Sequence, residues 1–83
     1  MQVSVKLFGG LREYLPAGSA FNACVLNLPE GSMLTDVLSH LPIPENKTYI
    51  VLLNDVKLDR EAHADTIVSA SDEIVLLPPI KGG

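Results

Sequence analysis

The chain has 83 residues, 47% hydrophobic and 19% charged, with six Lys or Arg against ten Asp or Glu and a formal net charge of −4. That length allows one small domain, and an acidic balance without a basic cluster excludes a sequence-independent nucleic-acid binder, which needs grouped Lys and Arg to displace counterions from phosphates. The single cysteine, Cys24, excludes an internal disulfide, and two Tyr, two Phe and no Trp leave the core to Leu, Ile, Val and Ala.

Residues 2–8 put Val3, Val5 and Leu7 on one face and Gln2, Ser4 and Lys6 on the other, the period of two of a half-buried strand. This alternation replaces the charged start and apolar block of a signal peptide, and no apolar run approaches a membrane span, so the expected location is cytoplasmic. Gly9 and Gly10 stop the strand, residues 11–15 suit a short helical turn, and Pro16, Ala17 and Gly18 open a loop. A second extended run occupies residues 22–28, with Ala23, Val25 and Leu28 expected to face away from Cys24 and Leu26.

Pro29, Glu30 and Gly31 turn the chain, and Ser32 is placed as an N-cap whose hydroxyl accepts from a first-turn amide. Leu34, Val37, Leu38 and Leu41 recur at the spacing of one buried helical stripe, while Thr35, Asp36, Ser39 and His40 fall on the wet side. The spacing predicts a helix of roughly 13 Å. Pro42 and Pro44 end it, because neither has an N–H to donate.

Residues 49–53 read as a strand, Asn54 and Asp55 as a turn, and residues 56–58 as a short partner strand. Residues 59–71 lack a clean period and read as an irregular connection with one helical turn. The last strand, residues 73–77, is apolar on both faces through Ile74, Val75, Leu76 and Leu77, as expected of a strand covered on both sides or central in its sheet. One helix must then cover one face of a mixed four- to five-stranded sheet, an α+β class. The expected division is a domain over residues 1–77 and an extended tail over residues 78–83.

That tail reads Pro78-Pro79-Ile80-Lys81-Gly82-Gly83. Two prolines directly after a buried strand cannot continue a central ladder and favour a polyproline-like exit, six residues of which span about 20 Å at most. Gly82 and Gly83 carry no side chains, so a channel as narrow as a peptide backbone admits them; a frayed end has the same composition.

With these residues in view, the chain resembles the ubiquitin-like sulfur carriers of MoaD/ThiS type, whose fold is the β-grasp, and most closely the small subunit of molybdopterin synthase. The pattern of a strand ending in Phe followed by Leu-Arg-Glu is met by Phe8, Leu11, Arg12 and Glu13, and the Asp-Glu strand start by Asp72 and Glu73. The ending Leu-Pro-Pro-aliphatic-x-Gly-Gly is met by residues 77–83. The thiamine-pathway carrier shares the Gly-Gly but usually lacks the Pro-Pro. Ser71 stands where many relatives have Gly, and residues 59–70 match poorly.

The resemblance implies a co-substrate with no stand-alone active site and no bound cofactor. A ubiquitin-activating-like adenylyltransferase would use ATP to adenylate Gly83, and a sulfur donor protein would convert the mixed anhydride to a thiocarboxylate. The tail would then enter the large subunit of molybdopterin synthase and give sulfur to a pterin precursor. On this resemblance Gly83 bears the reactive group, Gly82 grants access, and Pro78, Pro79, Ile80 and Lys81 form the tail, with Leu77 and Phe8 as further partner contacts.

The remaining residues suit that division of labour. His40 and His63 stand alone without an acid–base partner, and Cys24 lies in a strand as a small core residue. Asp55, Asp59, Glu61 and Asp65 read as a solvated loop, and no Cys or His cluster has metal-ligand spacing. Two other classes share the sequence features: a ubiquitin-like modifier delivering the same glycine to a lysine, and a plain β-grasp interaction module.

Overall fold

A computed structural model describes residues 1–79; the tail residues Ile80, Lys81, Gly82 and Gly83 lie outside them. In chain order the elements are β1 (Gln2–Leu7), a 3₁₀ segment (Gly9–Tyr14), β2 (Ala23–Asn27), α1 (Leu34–Ser39), β3 (Ile50–Leu53), β4 (Val56–Leu58), a second 3₁₀ segment (Arg60–Asp65) and β5 (Glu73–Leu77). Among the described residues the strands form one five-stranded sheet in the order β2-β1-β5-β3-β4. β1 is parallel to β5, and every other pairing is antiparallel.

Alternation along the strands sorts the sheet into two faces. Val3, Val5 and Leu7 of β1, Val51 of β3 and Ile74 and Leu76 of β5 are buried against Leu34, Val37 and Leu41 of the helical stripe. Thr35, Asp36, Ser39 and His40 are exposed, as their spacing predicts. β5 is central, so Val75, on the opposite face from Ile74 and Leu76, is also buried. Asn54 and Asp55 both take positive φ, 51° and 69°, the two-residue hairpin turn whose twist matches the strands it joins.

Three expectations need correction. The helix has six residues, about 9 Å, because Met33 is still extended and bridged to Ile67, so coiling begins only at Leu34. Ser32 is not the cap: its hydroxyl donates to the Pro29 carbonyl at 2.7 Å, while Asp36 Oδ2 accepts from the Met33 N–H at 2.8 Å. Leu28 joins Cys24 and Leu26 on the core side, since its N–H donates to the Met1 carbonyl at 2.9 Å and extends the alternation past β2. The connection over residues 59–71 contains its helical turn but is tied down, with His63 and Val68 buried and the Val68 N–H donating to the Ser32 carbonyl at 2.9 Å.

Candidate functional site

The end of β5 is where the described chain leaves the sheet, and several elements converge there. Leu7 pairs with Leu76 in the parallel ladder, and the Phe8 N–H donates to the Leu76 carbonyl at 3.1 Å, so Phe8 lies beside Leu77. Leu77 also pairs with Ile50 at the start of β3. Both Phe8 and Leu77 are half-buried and stand outside the core cluster, whereas Pro78 and Pro79 are exposed. The structure therefore brings together four of the residues expected to meet a partner; the other four, Ile80, Lys81, Gly82 and Gly83, lie outside the described residues.

Gly9 shapes this exit. Its φ is +60°, and a Cβ there would stand 2.6 Å from Pro78 Cγ, so a residue without a side chain lets the proline ring pack on the backbone after β1. The next segment stays local: the Leu11 N–H donates to the Phe8 carbonyl at 3.2 Å, and Arg12 Nε donates to the Gly9 carbonyl at 3.4 Å. The Arg12 guanidinium lies 4.3 Å from the ring centroid of Phe21, an aromatic that is 80% exposed. Sequence reading took Gly9 as a strand stop and did not single out Phe21. The only signal for either was the Gly9-Gly10 pair, since cation–π partners nine residues apart across a loop leave no periodicity.

The sheet face away from α1 is continuous with the exit. Phe8, Ile50, Leu52, Val75 and Leu77 share it by strand alternation and pairing, beside the Lys6–Glu73 ion pair at 3.6 Å. That pair is solvent-exposed and contributes little to stability. Val25, 59% exposed, extends the apolar character onto β2.

Among the described residues near the exit, no acid, base or nucleophile is brought together with another apart from the exposed Lys6–Glu73 ion pair. His40 is exposed at the C-cap of α1, where its Nδ1–H donates to the Asp36 carbonyl at 2.7 Å, and His63 is buried in the second 3₁₀ segment. Cys24 is buried in β2, and burial pushes its thiol up. Asp55, Asp59, Glu61 and Asp65 are exposed. Among the described residues no group of three His, Cys, Asp or Glu is placed to hold a metal ion, and no helix is long and apolar enough to cross a membrane. The geometry can present a chain end beside an apolar face.

The model of the ThiS family matches residues 5–83. Two solved structures are similar over 100% of both chains: SAMP1 from Haloferax volcanii, with a TM-score of 0.68 at 21% identity, and the complex of subunits 1 and 2 of molybdopterin-converting factor from Helicobacter pylori 26695, with a TM-score of 0.66 at 25% identity. No curated protein sequence matches the chain.

Proposed function

We infer the role of this chain from one premise: it belongs to the ThiS family and is a ubiquitin-like sulfur carrier of MoaD/ThiS type with a β-grasp fold. The finer reading we propose is the small subunit of a molybdopterin synthase, with Gly83 as the residue that is adenylated and converted to a thiocarboxylate. The observation that carries it is the exit itself, Leu77-Pro78-Pro79 leaving the central strand beside Phe8 and Gly9, within the span the family model matches.

The proposed chemistry is the one that membership of the family implies. A free carboxylate is a poor electrophile, so a Gly83 carboxylate attacking the α-phosphate of ATP on an adenylyltransferase, with loss of pyrophosphate, supplies a leaving group. The terminal sulfur of a donor protein's persulfide then attacks the acyl carbon and AMP departs, leaving an acyl disulfide; a thiol attacks the donor's sulfur, is oxidised with it to a disulfide, and so releases the thiocarboxylate on Gly83. The chain's own contributions are mechanical: the prolines hold the exit extended, Gly82 and Gly83 pass a backbone-wide channel, and Phe8 and Leu77 seat against the partner's mouth. The large subunit of the synthase is the proposed acceptor. It finds support in the molybdopterin-converting factor complex, which holds two subunits.

Intact mass tests the reading. After incubation with an adenylating enzyme, ATP and a sulfur donor, the full chain is expected to gain the difference between sulfur and oxygen, and a variant lacking Gly83 is not. An unchanged mass with enzymes of both the molybdopterin and thiamine routes overturns it. Loading only by thiamine-route enzymes moves the chain to that pathway, and isopeptide conjugates to lysines reassign it as a modifier.

A further inference from the structure

The chain is acidic overall, yet half of its basic residues line one groove. A groove of about 1080 Å³ runs between the C-terminal end of α1, the connection over residues 41–49, β4 and the second 3₁₀ segment. Lys47, Lys57 and Arg60 line it, three of the chain's six Lys and Arg, against Glu45 and Asp59, two of its ten Asp and Glu. Three basic and eight acidic residues are left for the rest of the molecule, so the groove is basic on a surface otherwise strongly acidic. All three basic residues are exposed, and among the described residues none is in an ion pair.

Between these charges the lining mixes polar groups with apolar side chains. Leu38, Ile43 and Leu58 are partly buried hydrophobics that reach the core from this side. His63 also lines the groove: its side chain is only 8% exposed, and Nε2 is buried without a hydrogen-bond partner.

We propose that this groove docks an acidic peptide segment of a partner protein. Apolar side chains of the segment sit on Leu38, Ile43 and Leu58, and carboxylates meet Lys47, Lys57 and Arg60. A nucleic acid suits the groove less well, because it brings no aliphatic side chains to cover Leu38, Ile43 and Leu58. Nothing in this docking uses Gly83, so it stands or falls separately from sulfur loading.

The experiment is a titration of the ¹⁵N-labelled full chain with a capped octapeptide of alternating leucine and glutamate. Saturable amide shifts are expected at Leu38, Ile43, Lys47, Leu58 and His63. Raising the salt weakens binding, and the double variant K57E/R60E weakens it by about tenfold or more. K6E, on the open sheet face, and deletion of Gly83 leave binding unchanged, which shows that the loss is local and independent of the tail. The proposal is overturned if the peptide gives no saturable shifts, if the shifts centre on Val25, Leu52 and Val75, or if K57E/R60E binds like the parent chain. Displacement of the peptide by an oligothymidylate of equal charge also overturns it and makes the groove a nucleic-acid site.

Discussion

Cys24 is the one thiol in a chain whose family handles sulfur, and its surroundings take it out of that chemistry. The reactive species is the thiolate, and burial in β2 raises the thiol's pKa and keeps it protonated. Native chain is therefore expected to alkylate with iodoacetamide far more slowly than a free thiol at mildly alkaline pH, and to reach the free rate in denaturant. Rapid native labelling would contradict this placement. Asp72 behaves oppositely: the Asn54 side-chain amide, donating at 2.9 Å, and then the Ser69 N–H, donating at 2.8 Å, hold its carboxyl below the usual aspartate range. Because the folded value lies below the unfolded one, the contribution is fully present above about 3.9 and is lost as pH falls through the folded value. Asp72→Asn is expected to lower the urea midpoint at neutral pH by an amount that shrinks on acidification; a gap that stays constant with pH rules out the linkage. Asp72 was legible as part of a motif and Asn54 as a turn residue, but the bond between them was not, because a side-chain bond across 18 residues leaves no trace in spacing.

At the scale of elements, legibility followed periodicity. Val3, Val5 and Leu7 declared β1, and the stripe from Leu34 to Leu41 declared α1, because each repeats with the period of its backbone. The start of α1 was misplaced because the bridge from Met33 to Ile67 is a tertiary constraint, and a six-residue helix is held by its packed face rather than by its own propensity. The second 3₁₀ segment was readable only as one helical turn somewhere in residues 59–71, because no apolar repeat fixed its position or announced buried His63. Gly9 joins element to site. Gly9→Ala must accept both a left-handed backbone and a close approach to Pro78, so it is expected to cost about 1–2 kcal/mol and to shift the amides around Leu77. Gly10→Ala meets nothing within 4 Å and is expected to stay within about 0.5 kcal/mol of the parent. Equal effects in chemical denaturation would remove Gly9 from its role at the exit.

The molecule as a whole is two hairpins joined by its last strand. β1 with β2 and β3 with β4 meet only through β5, which pairs with both, so the sheet closes when the end of the described chain inserts between them. The same strand leads into the exit at Pro78 and Pro79, which ties the geometry of that exit to completion of the fold. The apolar run over residues 73–77 made the central strand readable, whereas the packing of Pro78 on Gly9 and the half-buried Phe8 beside Leu77 depend on a parallel pairing of chain ends that no local pattern encodes. Leu76 is fully buried in that strand, and Leu76→Ala is expected to cost about 2–5 kcal/mol from cavity formation. A domain of this length holds on the order of 4–12 kcal/mol in total, so the loss is a large fraction of its stability. Because β5 bridges both hairpins, the variant is expected to melt in one transition, with far-UV circular dichroism and amide signals from β2 and β4 falling together. Earlier loss of the β4 signals would mean that the hairpins are held independently, and the geometry of the exit would then depend on the β1–β5 ladder alone.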